Sequence, residues 1–202
     1  MSEPSPPPSV SGSAIASVEH RLQAIESALA ERGVKLADVV APVTRLAPEA
    51  GPPQSGARVV AKAWTDAAFR QRLLTNGLAA MAEMGIEMPP HHRHLVVLEN
   101  TPSVHNLICC TLCSCTAYTV IGAPPDWYKD LEYRARVVRE SRSVLAEMGL
   151  ALAPDVELRV WDTTADTRYM VLPMQPPETE GWPLDKLAAL VSQDAMIGAA
   201  RL

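Results

Sequence analysis

Apolar residues first recur at helical spacing near the start of the chain. Ile15, Val18, Leu22, Ile25 and Leu29 make one stripe, which predicts a helix over residues 14–32 with Gly33 as its stop. Residues 1–13 are rich in Pro and Ser and offer little to bury, so they read as a disordered tail. Residues 35–40 read as one or two helical turns. Residues 41–55 carry Pro42, Pro48, Pro52 and Pro53 and read as a linker. Residues 14–55 are thus an amphipathic helix on a tether. It would serve as an arm reaching another subunit or as a helix folded back on its own domain.

From residue 56 the apolar pattern is denser. Val59, Val60 and Ala63 share one side of a helix predicted over 56–64. Thr65 or Asp66 caps the next, which ends near Leu74, and a third runs over 75–84 to Gly85. Met81, Met84 and Met88 read as core filler. Residues 95–98 and 104–109 read as strands, as do 156–161 and 169–172, the last two joined by the polar turn 162–167. Between them lie an aromatic, proline-rich loop over 118–128 and helices over 131–139 and 143–149. An amphipathic segment at 184–191 and an apolar one at 195–200 close the chain. Strands and helices are segregated rather than strictly alternating, so the fold class is α+β, with residues 56–202 as its main domain.

Hydrophobic residues make up 48% of the 202 positions, enough for a sizeable core. The formal net charge is -5, which argues against a nucleic-acid partner. No apolar run reaches the ~18 residues of a membrane span. The first residues lack the basic and apolar regions of a secretory signal. The expected location is cytoplasmic, where clustered cysteines point to metal or redox chemistry rather than disulfides.

All four cysteines are contiguous or nearly so: Cys109, Cys110, Cys113 and Cys115. Disulfides closing such short loops would remove little entropy from the unfolded chain, whereas several soft thiolates on one turn suit a metal ion. The C-x-x-C-x-C spacing has no second C-x-x-C and no H-x(3–5)-H to complete the four ligands of a structural zinc site. Cys109 and Cys110 are consecutive, so at a strand end they face opposite ways and do not share an ion. The backbone amides of Ser114 and Cys115 lie between the thiolates and are available to a strongly Lewis-acidic trivalent ion. That gives three sulfurs and two nitrogens, with Cys113 and Cys115 in the plane of the nitrogens, Cys110 on the axis and a sixth position open. An open position makes a metal catalytic. His91, His92 and His94 follow Pro89-Pro90 and read as loop residues, because no cysteine or carboxylate is spaced to complete a site with them.

The run Cys110-Thr111-Leu112-Cys113-Ser114-Cys115 resembles the metal-binding loop of nitrile hydratase alpha subunits. The resemblance extends over residues 121–129, 132–140, 159–173, 56–64 and 99–106, and covers residues 15–198 in all. It implies an α-β-β-α layered domain preceded by an extended helical arm, and hydration of a small nitrile to its amide. The implied cofactor is Co(III), since Thr at position 111 goes with cobalt and Ser there with iron, Fe(III) being the less favoured metal. Cys113 would be a sulfinate, Cys115 a sulfenate and Cys110 an unmodified thiolate, with Cys115 and Ser114 at the reacting centre. Asp162 and Arg168 fall on a segment that supports the loop. Tyr118 and Trp127 are the aromatics expected to line the substrate channel. The implied partners are a beta subunit, in an αβ or α2β2 assembly and contributing two arginines, and a metal-loading activator or chaperone. One departure stands out: the family usually has valine where this chain has Cys109, a position a small buried cysteine also fits. The gamma subunit of thiocyanate hydrolase shares this loop and is the alternative within the resemblance. A structural zinc module, with tetrahedral zinc and unoxidised cysteines, is the alternative outside it.

Overall fold

The computed structural model describes residues 12–35, 53–113 and 115–202. The readings made for residues 1–11, for the linker over 36–52 and for Ser114 therefore lie outside the described residues. The chain divides into two units, Met1–Pro48 and Glu49–Leu202. In the first, helix α1 (Gly12–Glu31) runs 20 residues and ends at Gly33, whose φ of +72° suits a residue without a side chain. Ile25, on the predicted apolar stripe, is 56% exposed.

The second unit opens with helices α2 (Pro53–Thr65), α3 (Ala67–Thr75) and α4 (Gly77–Glu83). Their boundaries follow from the caps. Asp66 accepts from the Phe69 N–H at 2.9 Å and Asn76 accepts from the Ala79 N–H at 3.1 Å, each satisfying one donor that a helix start leaves unpaired. Phe69, Leu73 and Met81 are fully buried, while Met84 and Met88 pack at the edge of the core.

Four strands follow: β1 (His94–Glu99), β2 (Val104–Cys109), β3 (Glu157–Asp162) and β4 (Thr167–Leu172). The polar turn after β3 does not close a hairpin. β3 pairs in parallel with β2, and β4 in parallel with β1, so the turn passes between two sheets. Burial explains the exchange. β4 is interior along most of its length, whereas β3 is partly exposed, so the two belong in different surroundings. Parallel pairs need long crossovers, and the segment between β2 and β3 supplies one. It contains α5 (Tyr118–Ile121), α6 (Asp126–Lys129), α7 (Leu131–Arg136) and α8 (Ser141–Glu147). The first two are single turns inside the stretch read from sequence as a loop. Two short helices, α9 (Leu184–Ala188) and α10 (Gln193–Ile197), complete the unit.

Buried Asn106 ties the sheets together. It donates to the Glu99 carbonyl and accepts from the Trp161 indole N–H, both at 2.9 Å. The register then decides where chemistry can sit. Cys109 pairs with Asp162, and His94 and Leu95 pair with Thr167 and Arg168. The ends of β2 and β3 therefore coincide, and the short turn 163–166 brings the starts of β4 and β1 to the same edge. Among the described residues no helix is long and apolar enough to cross a membrane.

Candidate metal centre

The chain leaves β2 at that edge and turns at once. The turn gathers the Sγ atoms of Cys110, Cys113 and Cys115 within 4.8 Å of one another. Cys110 and Cys113 are 3.3 Å apart and Cys113 and Cys115 2.8 Å. With metal–sulfur bonds of about 2.3 Å, tetrahedral angles separate two sulfurs by about 3.8 Å and right angles by about 3.2 Å. The 3.3 Å spacing lies near the right-angled value, and the 2.8 Å spacing is shorter than either. Among the described residues no fourth His, Cys, Asp or Glu joins the group, so the closed four-ligand set of structural zinc is missing.

Cys109 stands apart, as strand alternation predicts. It is fully buried in the core, and burial, with Asp162 and Cys110 adding to it, pushes its thiol up to about 12. Burial and the neighbouring Cys113 sulfur also push the Cys115 thiol well up, against a weaker pull from Arg168. Three crowded sulfurs without a cation resist sharing negative charge, and a bound cation reverses that balance. The Cys113 N–H donates to Cys110 Sγ at 3.4 Å, and Cys110 is the most buried of the three.

The loop is held by its surroundings at several points. Asp162 takes the Thr111 N–H on Oδ1 at 2.9 Å and the Thr111 hydroxyl on Oδ2 at 2.5 Å. The Thr163 N–H donates to the Cys109 carbonyl at 2.9 Å, the Arg134 guanidinium to the Cys113 carbonyl at 2.9 Å, and the Tyr128 hydroxyl to the Cys115 carbonyl at 3.1 Å. The Tyr133 hydroxyl donates to the Ile108 carbonyl at 3.2 Å. Thr111, Leu112 and Cys113 face outward, Leu112 with 88% of its surface exposed.

Of the residues singled out in the sequence, Asp162 binds the loop directly, and Arg168 holds the turn that follows β3. Arg168 is buried and binds the carbonyls of Thr164, Ala165 and Thr167, fixing the turn between β3 and β4. Tyr118 opens α5 and packs edge-on against His92, ring centroids 5.1 Å apart. Trp127 reaches the loop only through Tyr128 and Tyr133, on which its ring packs, and its indole N–H donates to Asp194 at 3.2 Å. His92 is enclosed rather than solvated, and burial, helped by Arg168 and His91, lowers its imidazole to about 4. Ser114 lies outside the described residues.

Arg134, Tyr128 and Tyr133 went unread in the sequence. A faint signal existed for the arginine. On α7, Arg136 falls in register with Glu132 and Glu140 and pairs with both, and Tyr133 is buried. Arg134 belongs to neither face, which leaves it available to the loop.

Asp162→Asn keeps the shape and loses the charge and one of two acceptors. The expected result is roughly 10–100-fold weaker metal retention, the usual effect of losing a group that orients a ligand loop. Metal content after a chelator challenge measures it, and retention equal to the parent's would remove Asp162 from this role.

Residues 16–200 match the family described as nitrile hydratase, alpha chain. The low-molecular weight cobalt-containing nitrile hydratase alpha subunit of Rhodococcus rhodochrous is 46% identical over 89% of this chain and 86% of its own. A solved double-histidine variant of the Fe-type nitrile hydratase of Comamonas testosteroni is 51% identical, covers 93% of this chain and 91% of that one, and superposes with a TM-score of 0.78. The thiocyanate hydrolase gamma subunit of Thiobacillus thioparus is 39% identical over 73% of this chain and 65% of its own. With that family matched across nearly its whole length, and its cysteine loop gathered at one point, the chain is a member of the nitrile hydratase alpha-chain family.

Proposed function

We propose that this chain is the alpha subunit of a cobalt nitrile hydratase, adding water to a nitrile to give the amide. The observation that carries the reading is the convergence of the Cys110, Cys113 and Cys115 sulfurs in a chain of this family. Cobalt-containing relatives and Thr111 favour cobalt, although an Fe-type relative is 51% identical against 46% for the cobalt-containing one. The backbone nitrogens of Ser114 and Cys115 would complete the donor set. Bound there in the trivalent state, cobalt would supply the Lewis acidity that polarises a carbon–nitrogen triple bond.

The chain's own residues do the rest. Cys113 as sulfinate and Cys115 as sulfenate would donate less strongly than thiolates, and so leave a bound cobalt more Lewis-acidic. The Cys115 sulfenate oxygen either attacks the nitrile carbon, after which water cleaves the S–O–C link, restores the sulfenate and releases the amide, or takes a proton from the attacking water. In the second route the water oxygen bonds to carbon and the proton returns to the nitrile nitrogen, so water is added without any redox change. A sulfenate is normally short-lived, and the two arginines of a beta subunit would protect it. Tyr118 lines the channel beside His92, and Trp127 stiffens its wall through Tyr128. Ser114 contributes its nitrogen and a small side chain within the turn.

The outward-facing Thr111, Leu112 and Cys113 need cover, which a beta subunit supplies in an αβ or α2β2 assembly, together with two arginines. Helix α1 would belong to an arm reaching that partner, and residues 56–202 would be the catalytic domain. An activator or chaperone loads the metal, and the compartment is the cytoplasm.

The test is purification with and without a co-expressed beta subunit, followed by cobalt content and turnover. The reading expects cobalt in the complex and amide from small nitriles. Turnover of thiocyanate with none of nitriles would move the assignment to thiocyanate hydrolase, the relative matched over a smaller share of this chain.

A further inference from the structure

A buried polar chain joins the ends of the two sheets to the turn after α10. Its members are Asn106, Asn100 and His105, of which Asn106 and His105 are each 3% exposed. Asn106 is oriented by its own partners: its side-chain amide donates to the Glu99 carbonyl and its oxygen takes the Trp161 indole N–H. Asn100 is oriented by Asn106. Its Oδ1 takes the Asn106 backbone N–H at 2.8 Å and the Asn106 side-chain amide at 3.0 Å. Both of those groups only donate, so Asn100 must turn its oxygen to Asn106 and its NH2 to His105 Nδ1, 3.3 Å away. Nδ1 must therefore accept. The other ring nitrogen, Nε2, lies 2.7 Å from the Gly198 carbonyl oxygen, which only accepts. A single form of the ring satisfies every partner, the neutral one with its proton on Nε2.

A second proton on that ring has no acceptor. It would sit on Nδ1 and face the Asn100 NH2, donor against donor. Turning the Asn100 amide over only passes the conflict on, because the NH2 then faces the Asn106 N–H. The conflict ends when Asn100 leaves Asn106. Water can come close to the ring despite its burial, because His105, with Asn100, Thr101, Gln175, Glu178 and Arg201, helps line a cavity of about 170 Å³. The charges around the junction offer the cation little relief. Arg201 opposes it, in the same direction as burial. Glu99 is paired with Arg70 and Glu157 on β3 with Arg159, while Asp194 on α10 takes the Trp127 indole N–H. Glu178 stands on the cavity wall.

We propose that His105 is an acid-sensitive latch: when its ring takes up a proton, Asn100 lets go of Asn106 and β2 loosens from the end of β1. Asn100 itself stays with the other sheet, since its N–H is held by the Leu172 carbonyl at the end of β4, at 3.0 Å. β2 continues to Cys109, so the strand that delivers the cysteine loop loosens with the latch. The direction with pH follows from the geometry. In the closed junction the ring binds a proton less readily than the ordinary value of 6.5. The open junction takes the proton first, so closure is complete above that pH and weakens below it.

The experiment follows hydrogen exchange at the Asn106 N–H in the full chain in its complex, corrected for intrinsic exchange. Protection there is expected to fall about tenfold from about pH 7 to about pH 5.5, as for one histidine that binds a proton only in the open form. The Val171 N–H in β4 is expected to change less than about threefold, because the opening is local. His105→Gln keeps a donor and an acceptor and cannot titrate, so its protection at Asn106 is expected to stay within about twofold over the same range. Asn100→Asp keeps an oxygen for Asn106 and offers a carboxylate to the charged ring, so the fall is expected to vanish or reverse. A parent without the fall, a His105→Gln variant that falls as the parent does, or equal falls at Asn106 and Val171 overturns the latch. Should His105→Gln fail to fold, Asn100→Asp decides, and a parent-like fall in that variant overturns it.

Discussion

Cys115→Ser is expected to lower amide formation by the assembled complex at least about a hundredfold, the upper end of what loss of a mere supporting residue does. The argument is chemical rather than steric. Serine occupies nearly the same space, but its hydroxyl is a hard, weakly acidic donor where the loop offers soft sulfur. It also cannot become a sulfenate, so the group that would attack carbon or accept a proton disappears with the ligand. Cys109→Val is the matched contrast. Cys109 is fully buried, lies outside the three-sulfur group and is held in its thiol form. Valine fits such a site, and cobalt content and turnover are expected to stay within about twofold of the parent, as for a volume-conserving core change. Steady-state rates and metal content on both variants check the pair. Loss of cobalt from Cys109→Val, with retention in Cys115→Ser, would reverse the assignment of the ligands.

The second large effect lies far from the sulfurs in sequence. Gly198 ends α10 with φ +94° and ψ 13°, and a Cβ built there would stand 2.0 Å from the Asn106 carbonyl oxygen and 3.0 Å from Leu107 Cα. Both obstacles are backbone, on the strand that leads into the cysteine loop. His105 seals the same junction: its Nε2 meets the Gly198 carbonyl at 2.7 Å while Nδ1 faces the Asn100 amide at 3.3 Å. Burial holds this imidazole below its usual value, so the neutral ring donates to Gly198 and accepts from Asn100. Gly198→Ala must therefore adopt a left-handed conformation and also push two chain segments apart. The expected loss is at least about 3 kcal/mol of unfolding free energy, a large share of a domain's stability. Gly149 is the control, with φ +91° and open space where a Cβ would go. Gly149→Ala is expected to cost only the conformational strain, about 1 kcal/mol. Denaturant unfolding of the two variants measures the difference. Equal losses would mean that helix α10 and β2 are less closely seated than the structure has them.

The cysteine loop was legible because its ligands are neighbours in the chain. Three sulfurs within six residues need no tertiary fold to find one another, and strand alternation alone separated Cys109 from Cys110. The four strands were legible within a residue or two for a similar reason, since each carries its own apolar pattern. Their pairing was not. The polar turn after β3 looks the same whether it closes a hairpin or passes between sheets. Only the burial of β4 against the partial exposure of β3 distinguishes the two, and that depends on residues far away in sequence. The same limit hid the loop's supports. Asp162 was marked by the resemblance, but its grip on Thr111 comes from β2 and β3 ending together. Arg134 and Tyr128 reach the loop from single-turn or two-turn helices too short to show a period. Pro124 and Pro125 made residues 118–128 read as a loop although α5 and α6 occupy its two ends. Trp127 illustrates the remainder: an aromatic near a site in sequence, which touches that site only through its neighbours.

The most direct test of the account is elemental analysis of the assembled complex together with the mass of the peptide spanning Cys109 to Cys115. The expected result is one cobalt per chain and a peptide heavier by three oxygens, two on Cys113 and one on Cys115. Tetrahedral zinc bound to an unoxidised peptide would contradict it.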